Sequence, residues 1–143
     1  MASAPIPKSL LAGLAPAEVR ELHLDYDLIA DELPAPYDVP PDLSAFPHLQ
    51  RLVLRAHELT EWPPLDVLPR LETLDLGRNA LSGWPADGHP HPALAELDLS
   101  FNELRHCQGV AAFPALRELN LSHNELSSLE GLGAATELES LSL

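Results

Sequence analysis

Two stretches of this chain carry the same leucine pattern, L-x-x-L-x-L-x-x-N-x-L, and they begin 22 residues apart, at Leu94 and Leu116. A fixed period in the low twenties is typical of a solenoid, in which successive coils of chain stack on one another. One coil cannot bury its own apolar side chains, so each coil needs neighbours. This spacing restricts the fold to a stacked array. The pattern positions are Leu94, Leu97, Leu99, Asn102 and Leu104 in one copy, and Leu116, Leu119, Leu121, Asn124 and Leu126 in the other.

The middle of each copy predicts a short strand. Leu97 and Leu99 alternate with Glu96, Asp98 and Ser100, and alternation of apolar with polar side chains is the period of a β-strand. The chain must turn after the strand, and bends leave backbone N–H groups that are costly when they are buried and unpaired. An asparagine at this turn has two donors and two acceptor lone pairs with which to pair them.

The repeated pattern resembles that of the leucine-rich repeat family. The resemblance implies an α/β repeat fold: a right-handed leucine-rich repeat solenoid with a concave parallel β-sheet of about six short strands, and with loops and 3₁₀ turns on its convex side. In the family, the asparagine of the pattern points inward and bonds backbone groups of adjacent coils. The resemblance thus implies a structural role for Asn79, Asn102 and Asn124.

Further copies extend the array. We expect a leucine-rich repeat domain over residues 19–143, with repeats starting near residues 19, 49, 71, 94, 116 and 138 and with the last repeat truncated. The first copy reads Val19, Leu22, Leu24, Asp27 and Ile29. Asp27 then stands in the slot of the asparagine, and His57 does so in the second copy. An ionised aspartate has no donor, so we expect weaker bonding at the first turn.

The repeats are preceded by an N-terminal tail, residues 1–18, in which we expect Met1 to Lys8 to be disordered. A short capping helix is predicted from Ser9 through Leu14, with Leu10, Leu11 and Leu14 on its buried face. Such a helix would cover the open end of the first coil. A frayed tail is the alternative.

About eight residues are inserted between the first and second copies, in a proline-rich segment that spans residues 30–46. Proline removes backbone donors and favours extended or polyproline conformations. We therefore interpret the segment as a stiff surface loop on the convex side or edge of the solenoid. A ligand for a proline-reading domain is the alternative. The prolines are Pro34, Pro36, Pro40 and Pro41.

The halves of the repeats that follow the strands differ in composition. In the fifth copy Leu129 and Leu132 stand three residues apart, the spacing that stacks side chains on a 3₁₀ turn. This copy resembles the 22-residue subclass found in a protein-phosphatase regulatory subunit, where short 3₁₀ turns pack the convex side. The same core-facing sites hold Cys107, Val110 and Phe113 in the fourth copy, Trp84 in the third and Trp62 in the second.

The composition argues against several ligands and locations. The formal net charge is −14, which would repel a phosphate backbone or an anionic membrane, so we expect no nucleic-acid and no membrane partner. No apolar run approaches the roughly 18 residues of a membrane span. The N-terminus is a poor signal peptide, and Cys107 is the only cysteine, so no intrachain disulfide can form. We expect an intracellular protein, cytoplasmic with the nucleus as the alternative, and not a secreted one.

We find no motif for catalysis. The sequence holds no nucleophile motif, phosphate-binding loop or catalytic dyad, so we expect neither an enzyme nor a cofactor. The one metal-like group consists of His89, His91, His106 and Cys107. No second thiolate or nearby carboxylate completes a ligand spacing. We interpret these residues as loop histidines and a buried thiol, and predict no metal.

The remaining candidate for function is the outward face of the strands, where side chains alternate with the leucines and form columns up the concave sheet. Asp75 and Asp98 are neighbours in one column, with Glu96 and Glu118 beside them. Like charges at this spacing cost stability, and a basic partner would relieve that cost; ordinary solvent-exposed filling of the repeat is the alternative. The predicted partner-binding residues are Tyr26, Arg51, Asp75, Arg78, Glu96, Asp98, Phe101, Glu118, Asn120 and His123.

The resemblance implies protein binding through the concave face. Three forms of this function stay open: an adaptor or scaffold module, a regulatory subunit of an enzyme such as a protein phosphatase, and the targeting domain of a longer enzyme truncated at residue 143. A fold identifies a surface and no reaction. The last copy leaves a strand edge and a leucine layer uncovered, so we expect either a fragment of a longer protein or two copies that meet edge to edge through residues 138–143.

Overall fold

A computed structural model describes residues 5–86 and 89–143 of the chain. Across those residues the chain forms six three-residue strands in one parallel sheet. The order of the strands in the sheet is their order in sequence. The predicted solenoid, with about six short parallel strands, is confirmed. The strands are β1 (Glu21–His23), β2 (Arg51–Val53), β3 (Thr73–Asp75), β4 (Glu96–Asp98), β5 (Glu118–Asn120) and β6 (Ser140–Ser142).

Short helical turns lie in the N-terminal segment and in the connections between strands. An α-helical turn, α1 (Tyr26–Ile29), follows β1. Within the part of the chain that the structure describes, no helix is long and apolar enough to cross a membrane. The 3₁₀ turns are Lys8–Leu11, Pro16–Glu18, Leu65–Val67, Gln108–Ala112 and Leu132–Ala134.

Leucines in register form the core behind the sheet. Leu52 pairs with Leu74, and Leu97 with Leu119, and each of them is at most 2% exposed. Burying a leucine side chain stabilises the fold by about 1.5–3 kcal/mol relative to leaving it in water, so every added coil strengthens the layer. Leu141 of β6 packs on one neighbouring coil only and is 38% exposed.

An inward asparagine joins each central coil to the coil before it. The Asn102 amide donates to Leu76 O of the previous coil at 2.9 Å, and to Leu99 O and Ser100 O of its own coil. Its Oδ1 accepts from Leu81 N of the previous coil at 2.9 Å. Asn102 is 6% exposed, so without the side chain these backbone groups would be buried and unpaired.

Two further asparagines repeat this arrangement. Asn79 donates to Leu54 O of the previous coil and accepts from Leu59 N. One coil beyond Asn102, Asn124 bonds the preceding coil in the same way. We call the inward series of Asn79, Asn102 and Asn124 the asparagine ladder.

The first coil departs from the predicted pattern. Asp27, which was expected in the slot of the asparagine, is exposed on α1, so that prediction is wrong. Asp25 caps α1 by accepting from Asp27 N at 3.0 Å, and the helical turn directs Asp27 outward. Tyr37 closes the coil in place of Ile29, because its carbonyl accepts from Glu58 N at 2.8 Å, the bond that the closing leucine makes in later coils.

His57 takes the place of asparagine in the second coil. Its Nδ1 accepts from Tyr37 N at 3.0 Å, and its Nε2 lies in hydrogen-bonding contact with Leu24 O. These partners require a neutral ring with the proton on Nε2. Burial lowers the pKa of His57, an effect opposed by the bond to Leu24 O and by the charge of Asp25. His57 therefore continues the ladder by one coil with one donor and one acceptor.

The proline-rich insertion over residues 30–46 forms no helix or strand, as expected of a loop, and many of its residues are exposed, but four of its apolar side chains are buried. Leu33, Tyr37, Leu43 and Phe46 are each at most 6% exposed. Their side chains join the core beside the first two coils. The four prolines suggested a stiff excursion, but the apolar residues spaced among them determine where the segment lies.

The N-terminal segment forms a 3₁₀ turn over Lys8–Leu11, and the predicted helix from Ser9 through Leu14 is wrong. No side chain caps this turn. Gly13, with a φ of 77°, redirects the chain after it, and Leu14 is 48% exposed. Of residues 1–8, for which we expected disorder, residues 1–4 lie outside the described residues, whereas Ile6 packs against the core and Lys8 begins the 3₁₀ turn.

Aromatic side chains pack the convex side of coils two to four. The Trp62 and Trp84 rings lie 6.0 Å apart, and Trp62 lies 5.8 Å from Phe113. Both indole N–H groups donate at 2.8 Å, to Gly83 O and His106 O. The tryptophans therefore pack against the core as leucines do in the pattern, with their polar atoms paired.

Replacing Asn102 by alanine should lower the free energy of unfolding by about 1–3 kcal/mol for each backbone group left unpaired. Asn124→Ala, at a half-buried position, should cost less, because water can reach the same groups. Urea denaturation followed by circular dichroism measures both. A midpoint for Asn102→Ala within error of the parent would contradict the role given to the ladder.

Gly131 and Gly133 provide a matched pair on the convex side. Gly131 has a φ of 103°, and a β-carbon added there would lie 2.7 Å from Cys107 O. Gly131→Ala should therefore destabilise the protein by about 1–3 kcal/mol. A β-carbon at Gly133 would meet nothing within 4 Å, so Gly133→Ala should stay within about 0.5 kcal/mol of the parent. Equal losses of thermal stability in the two variants would contradict this packing.

Candidate functional site

The outward side chains of the strands form two columns on the concave side, in the register that the sequence predicts. Neighbouring parallel strands lie roughly 4.8 Å apart, so adjacent members of a column can interact directly. One column is His23, Val53, Asp75, Asp98, Asn120 and Ser142, and its neighbour is Glu21, Arg51, Thr73, Glu96, Glu118 and Ser140.

An arginine compensates the two neighbouring aspartates. Arg55 Nη1 lies 3.3 Å from Asp75 Oδ1 and 3.9 Å from Asp98 Oδ2. Asn120 Nδ2 donates to Asp98 Oδ2 at 3.1 Å. The repulsion for which the sequence suggested a basic partner is thus offset inside the chain.

Both aspartates also shape the turn after their strands. Asp75 Oδ1 accepts from Gly77 N, and Asp98 Oδ1 accepts from Ser100 N, each at 2.8 Å. Such bonds to the backbone two residues on are Asx turns. Burial raises the pKa of Asp75, while the Gly77 N–H and the Arg55 charge oppose that rise. Substitution of either aspartate would therefore affect folding as well as any binding.

Arg55 is the residue of this face that sequence reasoning missed. It follows the second inward leucine of its repeat, at the position where later coils carry Gly77, Ser100 and Ser122. A β-carbon added at Gly77 would collide with the Arg55 guanidinium. Gly77 has no side chain, which leaves room for the Arg55 guanidinium to reach the next two coils. In the sequence, an arginine followed one repeat later by a glycine at the same position could have indicated this contact.

Arg78, Phe101 and His123 form a stacked row beyond the strand ends, which we call the edge stack. The Phe101 and His123 rings are 4.0 Å apart and within 10° of parallel, and Arg78 Cζ lies 5.3 Å from the Phe101 centroid. Arg78 Nη1 is also 3.8 Å from Asp27 Oδ2. All three backbones have φ between 55° and 57°, a left-handed conformation that is uncommon outside glycine and asparagine.

A shallow groove runs along the concave sheet, lined in part by Thr73, Asp98 and Asn120. Glu96 and Glu118 are register partners in its lining and are exposed. Thr73 Oγ1 donates to Glu96 Oε2 at 3.3 Å. Over residues 5–86 and 89–143 neither glutamate forms an ion pair. Among the described residues, no cation pairs with these carboxylates, whereas the two aspartates share Arg55.

The other predicted site residues lie in the first two coils. Arg51 lines the groove, with its Nε 4.0 Å from Glu21 Oε1. Tyr26 lies on α1, and its ring is 5.6 Å from that of His57. Tyr26 therefore packs on the histidine that continues the ladder and is not part of the edge stack.

The metal-like residues form no ligand cluster. Cys107 is buried, its Sγ lies 3.8 Å from Ser128 O, and burial raises the pKa of its thiol. His91 stacks on Phe113 with ring centroids 5.6 Å apart. Within the described ranges, 5–86 and 89–143, no group of three or more histidine, cysteine, aspartate or glutamate side chains is placed to hold a metal ion.

Comparison with known proteins agrees with this architecture. The profile of the family described as Leucine Rich Repeat matches residues 115–134. The crystal structure of internalin C2 from Listeria monocytogenes is similar to this chain, with a TM-score of 0.59 and 26% sequence identity. The chain has the fold of a leucine-rich repeat protein. The structural match covers 71% of this chain and 44% of that internalin chain, so the chain spans less than half of its length. No curated protein matches the chain by sequence.

Leucine-rich repeat domains are generally protein–protein interaction modules and are typically non-enzymatic. The solenoid described above fits that use, because its coils are coupled from the inside and its columns face outward. Neither comparison tests the resemblance to the phosphatase regulatory subclass, which stays a prediction.

A double-mutant cycle between Arg55 and Asp75 should give a coupling free energy of about 1.5–3 kcal/mol, the range for hydrogen bonds to charged groups. The two side chains are only 26% and 25% exposed. The control is the Arg105–Glu125 pair, which is 74% and 55% exposed and should couple by about 0.2–1 kcal/mol. Urea denaturation gives both cycles. A coupling at Arg55–Asp75 no larger than the control would show that Arg55 does not stabilise the acidic column.

Proposed function

We propose that this leucine-rich repeat protein is an adaptor that binds a partner protein through its concave face, with the edge stack at the centre of the contact. The edge stack is the observation that carries the proposal. Phe101 is 42% exposed, although its neighbours in sequence, Ser100 and Asn102, are buried. Aromatic and arginine side chains are the residues most enriched at the energetic centres of protein interfaces.

The edge stack is preorganised for binding. Phe101 is held between Arg78 on one side and His123 on the other, and Arg78 is further held by Asp27. A side chain that is ordered before binding loses less conformational entropy when a partner covers it. The left-handed backbone at each position fixes the direction in which the three side chains leave the coils.

The chemistry of the groove favours a basic partner. Glu96 and Glu118 are adjacent and unmatched by any cation of the described chain, while Asp75 and Asp98 already share Arg55. Complementary charge across an interface raises the association rate and selects among partners. We therefore place a lysine or arginine of the partner beside the two glutamates and an apolar or aromatic group against Phe101.

The proposal places the protein inside the cell, where Cys107 would stay a reduced thiol. A regulatory subunit and a targeting domain of a longer enzyme are special cases of the same binding activity. No contact in the structure favours either of them over an adaptor.

The test compares proteins captured from a lysate by four baits under quantitative mass spectrometry. The baits are the parent, Phe101→Ala, the concave pair Glu96→Lys with Glu118→Lys, and the convex pair Glu61→Lys with Glu130→Lys, which changes the charge by the same amount. Partners of the concave face should be held by the parent and the convex pair and lost from the other two. For a purified partner, Phe101→Ala should weaken Kd by about 30-fold, the equivalent of roughly 2 kcal/mol.

The circular dichroism spectrum of each bait must match that of the parent, so that loss of binding is not loss of fold. If the captured proteins were still bound by both concave variants but not by the convex pair, the assignment of the concave face would be contradicted.

A further inference from the structure

The inward series of side chains that joins the coils has one titratable member. Asn79, Asn102 and Asn124 have amides, which keep their protons at all physiological pH values. His57 has an imidazole, which gains a proton near neutral pH. His57 is 5% exposed, so the protein groups around the ring, and not water, determine how favourable the added proton is.

The contacts of His57 suit the neutral ring alone. Nδ1 accepts the N–H of Tyr37 at 3.0 Å, and Nε2 donates to Leu24 O. A protonated imidazole carries hydrogen on both nitrogens, which would set the Nδ1–H against the Tyr37 N–H. Both donors would then be buried without an acceptor, at a cost that favours separation.

Tyr37 is the point at which the insertion is tied to the second coil. Its carbonyl accepts from Glu58 N at 2.8 Å, and its ring lies 4.8 Å from that of His57. Its hydroxyl donates to Pro5 O at 3.5 Å. Loss of the bond to His57 therefore weakens the attachment of the insertion and of the N-terminal segment together.

The groups that face the imidazole come from three parts of the chain. Tyr26 lies on α1 with its ring 5.6 Å away, Tyr37 lies on the insertion, and Asp25 acts on the ring through its charge. Burial raises the pKa of Tyr37, so its hydroxyl stays uncharged in this pH range. Asp25 favours the protonated ring, but burial outweighs it, so that the pKa of His57 is lowered.

We propose that His57 and Tyr37 form a latch that opens on protonation of His57 and frees residues 33–41 of the insertion from the second coil. Leu43 and Phe46, fully buried further along the insertion, remain in the core, so the opening is local. The amides Leu81 N and Leu104 N are bonded to asparagines, and the coils that they join stay closed.

The direction of the pH dependence follows from the lowered pKa. Because the ring binds its proton more weakly in the closed latch than in the open one, protonation favours opening. The latch is fully closed above the ordinary histidine pKa, about 6.5. It opens progressively as the pH falls below that value and through the pKa of the folded protein.

The experiment is nuclear magnetic resonance on the whole chain, with nitrogen shifts of the His57 ring and hydrogen exchange of the Tyr37 amide as readouts. At neutral pH the His57 ring should carry hydrogen on Nε2 and none on Nδ1. Between the ordinary histidine pKa, about 6.5, and the lowered pKa of His57 in the closed latch, the Tyr37 protection factor should fall by up to about tenfold per pH unit, as expected for one proton, and it should level off at lower pH. The Leu81 and Leu104 amides should show no such fall.

His57→Asn is the matched variant, because asparagine fills this slot in later coils and does not titrate. The Tyr37 protection factor should then be independent of pH. Asp25→Asn keeps a side chain able to cap α1 and removes the charge that favours the protonated ring in the closed latch. The fall in Tyr37 protection should therefore continue to lower pH and end at a lower protection factor than in the parent.

A ring protonated at Nδ1 at neutral pH would overturn the proposal. So would a Tyr37 protection factor that does not change with pH in the parent, or one that changes equally in His57→Asn. If His57→Asn does not fold, the comparison of Tyr37 with Leu81 and Leu104 in the parent decides the question.

Discussion

Each turn that follows a strand buries backbone groups that cannot be paired within their own coil, and one inward polar side chain per coil pairs them. Asn102 shows the arrangement most fully, because it bonds Leu81 N and Leu76 O of the coil before it and two carbonyls of its own coil. This bonding holds successive coils at a fixed register. The leucine layers, the parallel sheet and the outward columns all depend on that register.

The fixed register of the coils also separates the residues that stabilise the fold from those that can contact a partner protein. Leucines and ladder residues take the inward positions, which leaves function to the outward columns and to the edge stack. Asp75 and Asp98 are the exception, because each one both closes a turn and faces the groove. Glu96, Glu118 and Phe101 make no such turn, so changing them can alter binding with the fold intact.

Sequence reasoning predicted the sheet, its register and most of the core, because the leucine period alone determines which side chains face inward. It failed in the first coil, where the pattern assumes an uninterrupted repeat. There Tyr37, from the insertion, closes the coil, and Asp27 is turned outward by α1.

Two features of the candidate site lay beyond the sequence for a different reason. Arg55 reaches Asp75 and Asp98 across coils, so its role appears only when the coils are stacked and the space above Gly77 is seen. Phe101 and His123 each stand directly before the asparagine of their repeat, but their parallel stacking depends on backbone angles that the sequence pattern does not encode.

Hydrogen exchange of the Leu81 amide in two variants of Asn102 tests the ladder most directly. Aspartate at position 102 keeps the acceptor for Leu81 N and loses the donors, whereas alanine loses both. The account predicts that Leu81 exchanges faster in Asn102→Ala, beyond the change in global stability, and stays protected in Asn102→Asp. Equal protection of Leu81 in the parent and in both variants would contradict it.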